Sequence, residues 1–480
     1  MSRINTNVGA LIAQTNLRRS QTDLQTALQR LSTGLRINRG ADDPAGLIAS
    51  ESLRSEISGI GQAIANSERA SNVLATSEGA LNEVSAMLST LQGLIVGAAN
   101  EGAMSPDEIE ANQLQVNSTV ESITRIANTT SFAGLNLLNG NLSYITSGVD
   151  SAKIKDLQLN SVQFGSNSYI PVKVTVLSAA TKGTLSYRNS QTTSNVTIQV
   201  QGTTGTTTFA FGPGTRASAI IFAVNGVSDA TGVTAKAFTS GAFHSGVTFE
   251  AESYGSREFV IVKALGTSQP FAVIDSGGNS ASYTEGKDAL ATVNGNRTMG
   301  DGLNLNLQSL GLDMEMLLST ATGTTKGATT SFNITGGGSK FQLGPAVNSN
   351  QQVNIGIRSV AASTLGNASV GYLSEIATGG AHSLVAGKAA EASDIVMEAI
   401  RQVSVLRGRL GAFEKNVLQT NVNSLQITLE NVTASESQIR DADFAVETSQ
   451  MTRAQILNQA GTSVLKMANQ TPQTVLSLLQ

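Results

Sequence analysis

Few side chains in this sequence are placed to do chemistry. Two pairs of acids, Asp42-Asp43 and Asp441 with Asp443, could in principle share general acid and base roles. Such work needs a cleft and a raised pKa. Asp43 instead precedes Pro44 at a helix start, and the second pair falls in a capping position, so a structural role is expected for both. Gly336-Gly337-Gly338 lacks the Lys-Ser/Thr that a phosphate-cradling loop needs, which leaves a turn. The sequence has no cysteine, which excludes disulfides, thiolate catalysis and Cys-ligated zinc. His244 and His382 are far apart and no HExxH is present, so a multi-His metal site is excluded as well. The Asn-x-Ser/Thr sequons at Asn195, Asn333 and Asn431 are what chance produces in a Ser/Thr/Asn-rich chain. An enzyme is not expected, nor a cofactor.

The elements that would carry these residues divide the chain into ends and a middle. A length of 480 residues suggests about two to four domains. With 14% charged residues, 14 Phe, 6 Tyr and no Trp, the chain suits thin layers of helix pairs and small sheets better than one large oily core. A net charge of −4 argues against nucleic acid as the main partner. No apolar run reaches the length of a membrane span; the most apolar stretch, Leu94–Ala99, is short and contains Gly97. The N-terminus has no apolar core followed by a small-residue cleavage site. Residues 1–40 are Arg-rich and acid-poor, as a mitochondrial presequence is, but the apolar periodicity continues far beyond a presequence.

That periodicity predicts helices. Ile4, Val8 and Leu11, then Leu17, Leu24, Leu28, Leu31 and Leu35, give a first helix over residues 3–36, roughly 50 Å long. Gly34 and Asn38-Arg39-Gly40 end it, and Asp43-Pro44 opens a second helix. The second stripe runs from Leu53 to Ala98, with Ser67, Ser71 and Glu78 interrupting it, so weaker packing is expected there. Ser105-Pro106-Asp107-Glu108 is a capping box that starts a third helix. From about residue 141 the period changes to two, at Val172/Val174/Val176, Val196/Ile198/Val200, Phe209/Phe211 and Val247/Phe249. Ala217–Val224 reads as a short helix, and Val224–Val233 and Val293–Leu303 look loosely repeated. Helical spacing returns near residue 384 with Val403, Leu406, Leu410, Phe413 and Val417. It continues one residue out of phase through Leu418, Val422, Leu425, Leu429 and Val432. Phe444, Met451, Ile456, Ala460, Val464 and Met467 follow; Thr471-Pro472 is expected to break the helix, leaving Val475, Leu476, Leu478 and Leu479 as an apolar tail.

The fold class expected is α+β, with long N- and C-terminal helices forming a coiled-coil or helical-bundle core around a β-rich variable middle. Two terminal helices can bury one face against each other. Their remaining apolar residues need neighbours, and copies of the same chain are the expected ones. A repeated contact between different patches on identical subunits gives an open helical filament unless the rotation closes.

The residues at both ends resemble bacterial flagellin. The match is carried by Ser2–Asn7 (SRINTN), Leu31–Asn38 (LSTGLRIN) and Ala41–Leu47 (ADDPAGL), then by Ser437–Phe444 (SQIRDADF), Arg453–Leu465 (RAQILNQAGTSVL) and Asn469–Leu479 (NQTPQTVLSLL). The resemblance implies a secreted subunit of the extracellular flagellar filament, exported unfolded by the flagellar type III pathway. Its partners would be itself, the flagellar cap and hook-junction proteins, and an export chaperone at about residues 441–480. Residues 1–42 with 441–480 would form the inner coiled-coil layer. Residues 43–165 with 340–440 would form a helical bundle with small β elements, and 166–339 the exposed variable part. The polymerisation residues expected are Ile4, Val8, Leu24, Leu28, Leu31, Leu35, Ile456, Ala460, Val464, Leu478 and Leu479. Where many flagellins carry an Arg and a Glu recognised by a Toll-like innate immune receptor, ungapped alignment puts Thr90 and Gly93, with Leu94 retained, so weak receptor recognition is expected. The runner-up is a hook–filament junction protein. A flagellin-like protein with an inserted metalloprotease is opposed by the missing HExxH, and an added glycan-binding role of the middle stays open.

Overall fold

The computed structural model describes residues 6–100, 102–165, 167–239, 242–265, 271–309 and 311–477, with side chains over all of these except 242–245 and 471–477. Its contacts group into two compact units: Met1–Arg69, Gln342–Val347 and Asn416–Gln480 in the first, Ala70–Phe341 and Asn348–Lys415 in the second. The helices in chain order are α1 (Val8–Thr33), α2 (Pro44–Ala98), α3 (Pro106–Thr129), α4 (Ala217–Asn225), the single turns α5 (Ser228–Thr231) and α6 (Thr320–Gly323), then α7 (Ala389–Phe413), α8 (Thr420–Arg440) and α9 (Phe444–Ser477).

The first unit is helical, and local sequence signals set its helix ends. Asn7 caps α1 by accepting from Ala10 N at 3.0 Å, and Gly34 ends it in the left-handed conformation with φ 72°. Asp43 Oδ1 accepts from Gly46 N at 2.9 Å at the start of α2, and Asp443 Oδ1 accepts from Ala445 N at 2.8 Å at the start of α9. Asp42 Oδ2 accepts from the N–H groups of Arg39 and Asn38, which hold its carboxyl below the ordinary carboxylate range. The paired acids are thus helix-start and turn devices. Gly46 has no room for a side chain: a Cβ there would lie 2.7 Å from Ile37 Cδ1 and collide with the Asp43 carboxylate.

Along α2 the positions Ile60, Ala63, Ser67, Ala70, Leu74, Ser77, Leu81, Val84, Leu88, Leu91, Ile95 and Ala98 are buried in an alternation of three and four, with Ser50 buried nearer the start and Val73 beside Leu74. The expected interruption at Ser67–Glu78 is therefore a correction. Ser67 and Ser77 are fully buried members of the stripe, and each returns its hydroxyl to the carbonyl four residues back, at 2.9 and 3.0 Å. Ser67 Oγ also accepts from Asn421 Nδ2 at 3.2 Å, and Ser71 donates to Glu414 Oε1 at 2.6 Å. Small size and satisfied polarity replace the missing apolar volume.

The one-residue phase shift in the C-terminal stripe is realised as a π-helical stretch, Glu414–Gln419, between α7 and α8. Leu410 is buried and the next buried position is Leu418, eight residues on instead of seven. A π turn absorbs one extra residue without breaking the helix. In the second unit, α3 opens with the expected capping box and buries Val116, Val120, Ile123 and Ala127. Gln113, fully buried beside them, donates to Ile376 O at 2.9 Å and accepts from Leu384 N at 2.7 Å, fixing the loop that leads into α7.

The β-rich middle is two nested antiparallel modules. The outer one packs a five-stranded sheet (Tyr144–Ser147, Ile170–Ser178, Leu290–Val293, Asn296–Arg297, Thr329–Gly337) with a four-stranded one (Ile154–Val162, Met299–Asp301, Asn304–Ser309, Leu312–Leu318). Its core holds Val172, Val174, Val176, Met314, Met316 and Phe332. The inner module occupies the chain between two strands of the outer one. It joins a three-stranded sheet (Thr184–Tyr187, Val233–Thr239, Ala242–Ala251) and a four-stranded one (Val196–Gln201, Thr206–Phe211, Phe259–Leu265, Tyr283–Glu285) to α4 through a core including Ile198, Val200, Ile220 and Phe249. The loose repeat has no structural counterpart: Val224–Val233 is the end of α4 with α5, whereas Val293–Leu303 turns a hairpin at Asn294-Gly295.

Gly93 lies exposed in the interior of α2, and a Cβ there would meet nothing within 4 Å. Gly93→Ala should therefore stabilise the chain by about 1 kcal/mol through helix propensity. A raised urea midpoint for the helical transition is the expected reading; an unchanged or lowered midpoint would show that the helix is not an ordinary exposed one at this point.

Candidate assembly surface

The chain ends meet as an antiparallel pair of α1 and α9, and four contacts define the register. Asn7 Nδ2 donates to Ala468 O at 2.7 Å. Leu17 packs where Gly461 lacks a side chain; a Cβ there would stand 3.2 Å from Leu17 Cδ1. Arg30 Nη1 reaches Glu447 Oε1 at 3.0 Å. Leu35 and Asp441 close the base as an antiparallel bridge, with Arg36 N donating to Arg440 O at 2.7 Å and Ala442 N to Gly34 O at 2.9 Å.

Small residues make this closeness possible. Ala13, Ser20 and Ala27, seven apart, are the buried positions of α1, and the half-buried Leu17, Leu24 and Leu31 alternate with them. On α9 the inward series is Glu447, Met451, Ala454, Asn458, Gly461, Leu465 and Ala468. Each helix thus offers a heptad seam with one small and one long position per turn pair. The seam also explains why α9 runs on to Ser477 through Thr471-Pro472, contrary to the expected break. A proline inside a helix orphans the carbonyl four residues earlier. Here that carbonyl belongs to Ala468, and the Asn7 amide donates to it.

Pairing leaves the other faces open. Val8, Leu11, Ile12 and Leu28 on α1 remain 48–58% exposed, and Ile456, Val464 and Met467 on α9 remain 53–67% exposed. Ile456, Ala460 and Val464 follow at helical spacing on the side of α9 away from the seam. On α2 Ile48 is exposed, on α8 Ile427 is, and α8 buries none of its residues fully. Among the expected polymerisation residues, Val8, Leu28, Ile456, Ala460 and Val464 are thus exposed. Leu24 and Leu31 are half-buried in the intrachain seam, and Leu35 is half-buried in the basal bridge. Ile4, Leu478 and Leu479 lie outside the described residues. Sequence reasoning expected the pairing of the terminal helices but missed the small residues of its seam, Ala13, Ser20, Ala27, Ala454 and Gly461, whose seven-residue spacing was the available clue. Thr90 and Gly93 are exposed on α2 and Leu94 is half-buried beside them.

Glu447 is only 4% exposed and is, with Ala454, one of the two buried residues on α9 whose side chains are described. Arg30 Nε and Glu447 Oε2 are buried without hydrogen-bond partners. A buried pair of this kind adds little net stability but penalises any other register. Among the described residues no cluster of His, Cys, Asp or Glu could hold a metal ion, and no helix is long and apolar enough to cross a membrane.

Helical ends joined by a small-residue seam, with apolar outer faces, are the frame of a structural protein. Comparison with known proteins makes that class specific. Residues 4–143 match the family model "Bacterial flagellin N-terminal helical region", and residues 393–479 match "Bacterial flagellin C-terminal helical region". The flagellin of Salmonella rubislaw is 31% identical and the B-type flagellin of Pseudomonas aeruginosa 30%, each alignment covering 99% of both chains. The chain belongs to the bacterial flagellin family, whose members are structural subunits of the flagellar filament. Among solved structures it is similar to FliC from Burkholderia pseudomallei, at 14% identity over 73% of this chain and 99% of that one, with a TM-score of 0.24.

Glu447→Ala would strand a buried guanidinium. The expected cost to the α1–α9 pair is about 2 kcal/mol, below the figure for a fully buried pair because Arg30 keeps some solvent. Faster amide exchange along α1 would register it. The Arg30→Met/Glu447→Met double substitution should recover most of the loss; if it is as damaged as the single one, the pair does more than set register.

Proposed function

We propose that this chain is exported unfolded and self-assembles, through the outer faces of its terminal helices, into the helical filament used for swimming. The observation that carries the reading is the set of exposed apolar residues left after α1 and α9 have paired, above all Ile456 and Val464 on α9. Large apolar patches on a soluble subunit are sites of association. In this reading residues 1–42 with 441–480 form the inner layer, 43–165 with 340–440 lie around it, and 166–339 face outward. The partners are then cap and hook-junction proteins at the filament ends and an export chaperone on residues 441–480. Full-length similarity to flagellins favours the filament subunit over a hook–filament junction protein.

Seeding concentrated protein with filament fragments should give long filaments by negative-stain microscopy, and removal of residues 441–480 should abolish them while the β-rich modules stay folded. Val464→Asp keeps the seam intact but puts a carboxylate on the outer face. It should raise the critical concentration for assembly at least about tenfold. Normal assembly of either variant would sink the reading. With Thr90 and Gly93 in the receptor patch, purified monomer should signal weakly through the Toll-like receptor; potency equal to that of a flagellin carrying the Arg and Glu would contradict this.

A further inference from the structure

A groove of about 360 Å³ lies within the second unit, and its walls include Tyr144, Asp156, Asn160, Arg358 and Arg409. That volume falls in the range of small-molecule sites. Two mostly buried guanidiniums face it. Arg358 donates to the Gln402 amide oxygen and Arg409 to the Asn160 amide oxygen. Among the described residues neither has a carboxylate oxygen within 4.0 Å. The nearby acids are engaged elsewhere: Glu398 takes a two-pronged contact from Arg401 at 2.7 Å, Glu315 lies 4.0 Å from Arg401, and Asp313 accepts from Asn160 Nδ2 at 3.1 Å. Asp156 is the one carboxylate in the wall, and it accepts from Gln158 Nε2 at 2.9 Å, so the lining carries an excess of one positive charge.

Such an arrangement is costly without an anion. Burial pushes both arginines below their ordinary range; Asp156 and Asp313 offset it only in part, and Arg401 disfavours the charge on Arg358 as Arg358 does that on Arg409. Arginine forks match the oxygens of carboxylate and phosphate groups, and a charge-assisted pair of hydrogen bonds is the strong form of that contact. Tyr144 adds a neutral donor. Its oxygen accepts from Val162 N at 2.9 Å, its proton has no acceptor among the described residues, and burial raises the phenol to about 12, so it stays protonated.

We propose that this groove binds a small oxyanion, a carboxylate or phosphate group, between Arg358 and Arg409 with the Tyr144 hydroxyl as a third donor. The site is independent of the terminal helices and would be occupied in the single subunit. The test titrates the full-length monomer with inorganic phosphate and, separately, with succinate, each against chloride at matched ionic strength, and follows heat of binding and melting temperature. Saturable binding is expected for at least one of the two, and which one binds identifies the source of the oxyanion. Arg358→Gln and Arg409→Gln should each weaken it by about tenfold or more, while Arg125→Gln, on an exposed arginine of α3, should not. Should a groove variant misfold, phenylglyoxal modification of the unaltered chain gives the same answer. The bound anion should slow modification at Arg358 and Arg409 and leave Arg125 unchanged. Absence of saturation by both anions, equal binding by all variants, or equal protection of Arg125 would overturn the proposal.

Discussion

Everything in the first unit depends on how closely α1 and α9 can approach. Ala13, Ser20 and Ala27 on one helix and Ala454, Gly461 and Ala468 on the other leave room for Leu17, Leu24 and Leu31 to fill the seam. Nothing larger would fit at Gly461 without moving Leu17. The seam is narrow, so it consumes few of the apolar residues available. That economy is what leaves Ile456 and Val464 outside. Arg30 with Glu447 and the Leu35–Asp441 bridge then fix the register, so the outer face is presented in one arrangement rather than several.

Long helices and short strands were legible in the sequence because periodicity and capping are local signals, whereas the nesting of one β module in the other was not. Asp43, Ser105 and Gly34 act where their residue types suggested, whereas Asn7, expected inside a first helix over residues 3–36, caps one that begins at Val8. The strand alternations at 172–176, 196–200, 209–211 and 247–249 were equally plain. Even the π-helical stretch left a trace, since its extra residue displaced the apolar stripe by one position at Leu418.

What could not be read depended on partners distant in sequence. Ser67 and Ser77 looked like defects in a stripe because their hydroxyls are satisfied by backbone carbonyls that a linear pattern does not show. Pro472 looked like a stop, and the Asn7 amide that donates to Ala468 O lies at the other end of the chain. Leu24 and Leu31 were expected among the polymerisation residues, and the small residues opposite give them a place in the intrachain seam. The arginine groove left no sequence signal at all, since Arg358 and Arg409 sit on separate segments brought together by the outer sandwich and α7.

The central claim is that the outer face of α9 is open in the subunit and closed by other copies in the filament. The chain has no cysteine, so a single one placed at Val464 is a unique probe. Thiol labelling of that variant, before and after seeded assembly, measures the claim directly. Rapid labelling of the monomer and strong protection in the polymer are predicted. Equal labelling rates in the two states would contradict the account.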